Sequence, residues 1–302
     1  MLRVRALTLA LVLLAAEAGA WGPASHVYVV DRLMGTGWLD ALFGSMMPDM
    51  YALGSTAPIQ NNTQWLTHHE FDRLSPSSFA LGFATHNGIW GADYYAHCYY
   101  DPSAPDTYLT ERMKLMCLEF GFSMQDAELV IEGVVDYLVR QDRGPELGGL
   151  IQLSAQAFGA EDEQQLVDAF ALPLTQRVSG LSIEDAEAEL RSMARNWRML
   201  LAAYGGTFFG GDLAICRATL VTGLATALDV DEQTAEAYVA RAEELCWDYF
   251  VELDRIAALL PAQLEALSPS YKLPLGPGCV LGEALLLCGW LVLRTRRRAT
   301  GP

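Results

Sequence analysis

The sequence predicts an all-α protein with one multi-helix domain over residues 21–268. Apolar residues recur at three- and four-residue spacing nearly throughout, and long alternating β-rich runs are missing. The chain has 302 residues, 52% hydrophobic and 19% charged. That composition builds a large core and excludes a disordered or low-complexity polymer.

Residues 1–20 read as a secretory signal peptide. Arg3 and Arg5 precede an apolar run, and Ala18-Gly19-Ala20 precedes Trp21. The run is too short to span the ~30 Å hydrocarbon core of a bilayer. Helices are expected over 24–34, 78–86, 91–100, 108–119, 124–140, 147–158, 161–171, 182–204, 211–228 and 231–260. Ser123, three before Asp126, and Asp229, three before Glu232, are expected helix caps. Residues 44–65, rich in Gly, Pro, Asn and Ser, read as loop. Residues 269–274 read as linker, with Pro269 and Pro274 at its ends.

Residues 275–302 contain an apolar stretch, Leu275–Leu293, followed by Arg294, Arg296, Arg297 and Arg298. This is the pattern of a membrane anchor with a cytoplasmic C-terminus, although Glu283 is costly inside it. A sorting tail removed after export, or a buried C-terminal helix, fits the same residues. The expected location is extracytoplasmic, secreted or held at a membrane surface by this segment.

Twenty Lys+Arg face 37 Asp+Glu, a net charge of −17. The leader holds two arginines and one acid and the basic end four arginines, which leaves 14 basic and 36 acidic side chains over 21–293, net −22. Such a surface repels nucleic acid and argues against it as a partner. Outside the cytoplasm Cys98, Cys117, Cys216 and Cys246 could pair, most simply as Cys98–Cys117 and Cys216–Cys246, with four free thiols as the alternative.

All five histidines, His26, His68, His69, His86 and His97, fall within 72 consecutive residues. Asp49 and Asp93 lie among them. Imidazole and carboxylate are ligands of zinc and similar divalent ions. Asp93 and His97 are i, i+4 neighbours, ~40° apart on a helix face. Glu128, Glu132 and Asp136 form a second such stripe. Alone, that stripe reads as a solvated face, and Asp93–His97 equally well as a core pair. Together with the crowded histidines they point to a metal site.

Several of these residues resemble a known family. Trp21-Gly-Pro-Ala-Ser-His26 looks like the N-terminus of the zinc-dependent phospholipase C and single-strand nuclease superfamily. Met47-Pro-Asp49, the His68-His69 pair, and GFATH86 followed by GAD93YYAH97CYYDP are similar to bacterial members of the phospholipase C branch. The likeness covers roughly residues 21–140, and the order of its short motifs is more specific than any one of them.

The resemblance implies an all-α fold of that type and two or three zinc ions. Trp21 and His26 would hold one ion, with Asp93 bridging to a second held by Asp49, His69 or His68, and His86. A third would lie between His97, Glu128 and Glu132, where the family has a histidine in place of the first glutamate. The family also has three residues between the histidine and aspartate that stand here as His86 and Asp93, whereas this chain has six. On an unbroken helix the two would be ~10.5 Å apart along the axis. Asn87-Gly88 and Gly91 suggest a break that restores convergence.

Clustered divalent ions suit phosphoric-ester hydrolysis because they neutralise phosphate oxygens and activate water. Asp49 could serve as general base. Trp65, Trp90 and Tyr94, with Tyr95, Tyr99 and Tyr100, could form an apolar or cation-π rim for the substrate, or simply pack the core. No Gly-x-Ser-x-Gly elbow supports serine-esterase chemistry. The leading expectation is an exported, zinc-dependent phospholipase C-like hydrolase acting on phospholipid or another phosphodiester. The alternatives are a nuclease of the same superfamily and a non-catalytic, metal-stabilised surface binding protein.

Overall fold

A computed structural model describes residues 21–97, 107–206 and 211–267. The expected leader, the linker, the apolar tail, Cys98, Tyr99 and Tyr100 lie outside the described residues. Within them the chain is all-helical and forms one multi-helix domain. The α-helices are α1 (Pro23–Met34), α2 (Leu39–Met46), α3 (Ala57–His69), α4 (Ser78–His86), α5 (Ala92–His97), α6 (Tyr108–Phe120), α7 (Met124–Arg143), α8 (Glu146–Ala157), α9 (Ala160–Arg177), α10 (Ile183–Tyr204), α11 (Leu213–Ala227), α12 (Glu232–Leu245) and α13 (Tyr249–Leu267). A 3-10 segment, Met47–Leu53, joins α2 to the turn before α3, and a shorter one, Phe71–Arg73, follows α3.

Residues 44–65 are therefore not a loop. Pro48 and Pro58 sit in the first turns of the 3-10 segment and α3, where a missing N–H costs no helical hydrogen bond. Helix α9 also runs past its expected end and through Pro173, because Phe170 and Leu174 bury the face on either side of it. The long helix expected over 231–260 is two helices. The break falls at Cys246–Asp248, where the Asp248 carboxylate accepts hydrogen bonds from Tyr108 Oη and Arg112 Nη2, both at 3.0 Å. Ser123 caps α7 as expected, in a reciprocal box with Asp126. The cap of α12 is Asp231, not Asp229, and it accepts from Thr234 N at 2.8 Å.

Helices α2 and α4 pack closely at Gly44, which faces the α4 backbone, and at Gly82, which faces the α2 backbone. A Cβ on either glycine would overlap the other helix's backbone at Phe79 or Ala41. That contact fixes α4 against the chain leading into the 3-10 segment, and so fixes His86 relative to Asp49. Beneath it lies the core: Phe43, Phe79 and Phe158 pack with ring centroids 4.8–5.7 Å apart. The Trp197 indole, fully buried, donates to Met46 O at 2.6 Å.

No disulfide forms among the described residues, so the Cys216–Cys246 bridge is absent, and the expected Cys98–Cys117 pair lies partly outside them. Cys216 and Cys246 are fully buried and pack as small apolar side chains. No single helix among the described residues is long and apolar enough to cross a membrane.

Candidate metal centre

Six elements converge on one cluster of side chains. Helix α1 brings His26, the 3-10 segment Asp49, α3 His68, α4 His86, α5 Asp93 and His97, and α7 Glu128 and Glu132. All are buried, with exposures of 8% or less. They form three groups whose ligand atoms lie within 4.8 Å of one another: His26, Asp49 and His86; His68, His86 and Asp93; and His97, Glu128 and Glu132. His86 belongs to two of them. Buried His/Asp/Glu clusters that could hold a metal ion are thus present, and the solvated-face reading of Glu128 and Glu132 is overturned.

The turn between His86 and Asp93 makes the convergence possible. Helix α4 ends at His86, and Asn87 Oδ1 accepts from the backbone N–H groups of Ile89, Trp90 and Gly91 at 2.8–3.3 Å. Gly91 passes so close to the Asn87 backbone that a Cβ would come within 2.5 Å of Asn87 N. The chain therefore folds back before α5 starts, and the long sequence interval becomes a short spatial one.

Local hydrogen bonds orient the imidazoles. His86 Nδ1 lies 2.9 Å from Ser45 O, and its Nε2 lies 3.3 Å from Asp49 Oδ1. His68 Nδ1 lies 3.0 Å from Gln64 O and 2.9 Å from Thr67 Oγ1, leaving Nε2 to face His86 Nε2 at 3.2 Å. The His26 ring stacks on His86 with centroids 4.1 Å apart. His97 Nε2 lies 3.0 Å from Glu128 Oε1.

The N-terminal residues are pinned to this site. Trp21 Nε1 donates to Ala92 O at 3.2 Å, next to Asp93. Asp136 accepts from Ala24 N, Ser25 N, Ser25 Oγ and Tyr204 Oη at 2.6–2.9 Å. Asp136 thus completes the acidic stripe of α7 by holding the first turn of α1 rather than joining a ligand group.

Electrostatics mark the same place. Burial, then the neighbouring His86, lowers His68 to about 3 and holds His26 well below the ordinary imidazole range. Both rings therefore stay neutral, as metal ligands must. Burial would lower His86 too, but Asp49 and Asp93 outweigh it and raise it. Burial raises Asp93 to about 6, with His97 and His86 opposing and Asp49 and Glu128 adding to the rise. Glu132 is raised well above its ordinary value by burial and by Glu128, Asp49, Asp136 and Asp93.

The donor set fits a divalent cation. Buried His26 Nε2 and Glu132 Oε1 have no hydrogen-bond partner among the described residues. A polar atom buried that way costs free energy comparable to a lost hydrogen bond, and a cation on its lone pair removes the cost. No family model, curated protein or solved structure matches this chain.

The other expected site residues fall outside the three groups. His69 stacks on half-exposed Trp65 with centroids 4.0 Å apart, and its Nδ1 lies 3.1 Å from Trp65 O. Of the adjacent histidines it is His68 that enters a ligand group. Trp90 packs edge-on against Phe71 at 5.3 Å, and Tyr94 against Tyr95 at the same distance. Sequence reasoning missed Tyr51, a buried aromatic set edge-on to His68 at 5.5 Å. Burial and the carboxylates of Asp49, Asp93, Glu128 and Glu132 hold its hydroxyl well above its ordinary pKa. A tyrosine two residues after Asp49, in a segment read as loop, was the signal available.

Proposed function

We propose that this chain is an exported, zinc-dependent phosphodiester hydrolase of the phospholipase C type. The observation that carries the reading is a buried imidazole–carboxylate cluster of eight side chains containing donor atoms that nothing in the described protein satisfies. The mixture of neutral imidazoles and carboxylates suits zinc. His26, Asp49, His68, His86 and Asp93 would hold the ions of the first two groups, with Trp21 beside them, and His97, Glu128 and Glu132 those of the third.

When bound, such ions neutralise phosphate oxygens and lower the pKa of water. The chain's own residues do the rest. Asp49, between two imidazoles, accepts a proton from a water within hydrogen-bond reach. Ser45, Gln64 and Thr67 fix the ring orientations of His86 and His68, and the buried walls limit access of bulk water. A phospholipid headgroup ester is the favoured substrate, because a body of net charge −22 over residues 21–293 repels polyanions.

The test is elemental analysis of the full chain expressed with export, followed by hydrolysis of phosphatidylcholine vesicles. Two or three zinc ions per chain are expected, with turnover that disappears with chelator and returns with zinc. Less than one ion of any kind would sink the reading. One observation favours a second reading, a metal-stabilised binding protein without turnover: the third group offers two carboxylates and one imidazole, a harder donor set. Tightly held metal with no hydrolysis of any phosphodiester would select it.

A further inference from the structure

We infer that the Tyr51 hydroxyl is the hydrogen-bond donor to a phosphoryl oxygen held at the cluster, an inference that rests on the phosphodiester reading above. Tyr51 lies on the 3-10 segment two residues beyond Asp49 and is 3% exposed. Its ring stands edge-on to His68 at an interplanar angle of 77°. Its Oη accepts a hydrogen bond from Gln64 Nε2 at 3.1 Å, and Gln64 sits one helical turn before His68 on α3.

With the Gln64 amide nitrogen turned toward Oη, the direction of the hydroxyl follows. A side-chain amide nitrogen only donates, so it occupies a lone pair of Oη and leaves the O–H free to donate elsewhere. Among the described residues it is the one hydrogen bond the hydroxyl makes. The carboxylates that act on the phenol, those of Asp49, Asp93, Glu128 and Glu132, come from all three ligand groups. The edge-on contact with His68, itself a member of a ligand group, and the position two residues beyond Asp49 set the phenol beside the region those groups share.

Packing alone does not account for an O–H here. A phenylalanine would make the same edge contact with His68 without the cost of burying a hydroxyl whose proton has no acceptor. With the carboxylates engaged with cations, an anionic oxygen of a bound ligand is the strongest further acceptor for that proton. Among phosphodiester parts, a non-bridging phosphoryl oxygen has that charge and would be drawn to the same cations.

The test uses the full chain loaded with zinc and titrated with inorganic phosphate in a calorimeter, beside Tyr51→Phe, which keeps the ring. The expected result is equal zinc content with phosphate binding weakened about tenfold or more, the scale for losing a hydrogen bond to a charged group. Equal phosphate affinity in the loaded variant, or a loaded wild type that binds no phosphate, overturns the role of Tyr51. A variant that loses zinc together with phosphate also overturns it, because Tyr51 would then be acting through the ligand set. If the wild type takes up no zinc, the hydrolase reading fails and this role with it, an outcome distinct from equal affinities on loaded protein.

Discussion

The two halves of the domain bury polar groups in opposite ways. Among the described residues after 140 the buried polar side chains are Ser154, Glu163 and Thr219, and each is satisfied close by. Ser154 and Thr219 donate to carbonyls of their own helices at 2.9 and 2.7 Å, and Glu163 is clamped by Arg191 and Arg195. Among the described residues before 141 the same class includes four histidines, three aspartates and two glutamates, crowded by like charge, with His26 Nε2 and Glu132 Oε1 left without a hydrogen-bond partner. The back half is built for stability. The front half carries a cost that its own residues do not offset, and such a cost is tolerated where a ligand removes it.

The division can be broken, or sharpened, by experiments of decreasing size. Trp197→Ala, which empties the core beneath the site, should cost about 3–5 kcal/mol in urea unfolding of chelated protein. A loss below about 1 kcal/mol, the level of an ordinary surface change, would mean that the scaffold is not where the stability lies. Glu132→Gln should remove the metal of the third group, lowering stoichiometry by one ion. The same change should raise the melting temperature of the chelated chain by about 3 °C, or roughly 1 kcal/mol, because it deletes a repelled buried carboxylate. A melting temperature that falls instead would make Glu132 a structural partner.

Asp136→Ala touches no ligand group but frees the first turn of α1. Its expected effect is about 10–100-fold weaker metal binding, the usual scale for a group that orients ligands, seen by competition with a chromophoric chelator. The pH dependence comes next. Asp93, raised to about 6, takes up a proton as the pH falls through that value, and the proton competes with the cation. Metal affinity should therefore fall as the pH drops through this range, by at most about tenfold per pH unit for each proton displaced. His86 and Glu132, both raised, add protons to be displaced at higher pH. A flat profile down to pH 5 would remove Asp93 from the site. The smallest effect belongs to the back half: Glu163→Gln should cost about 1 kcal/mol or less and leave metal content unchanged.

Much of the front half was legible before any coordinates. Histidine crowding and i, i+4 carboxylates report on side-chain chemistry, and chemistry is written residue by residue. His26, Asp49, His68, His86, Asp93, His97, Glu128 and Glu132 are all legible in the sequence, although the choice of His68 over His69 is not. That choice depends on helix phase: one neighbour turns inward to His86 and the other stacks on Trp65. Features set by distant contacts were illegible. The break at Cys246–Asp248 follows from Arg112 and Tyr108 drawing in Asp248, and the course of the chain into the 3-10 segment follows from Gly44 letting α2 lie against α4. That Cys216 and Cys246 form no disulfide follows from where the helices carry them, which cysteine spacing does not encode.

The Asn87 turn has a consequence for how such a site is read or altered. By gathering three backbone amides on one side chain, it absorbs surplus chain between His86 and Asp93 without moving either end. A pattern written as a fixed count of residues between ligands measures contour length, whereas coordination responds to straight-line distance. The turn uncouples the two. Residues can be gained or lost at such a fold-back while the donors stay in place, so the gap between ligands is the freest variable in the motif and the geometry at its ends the most constrained.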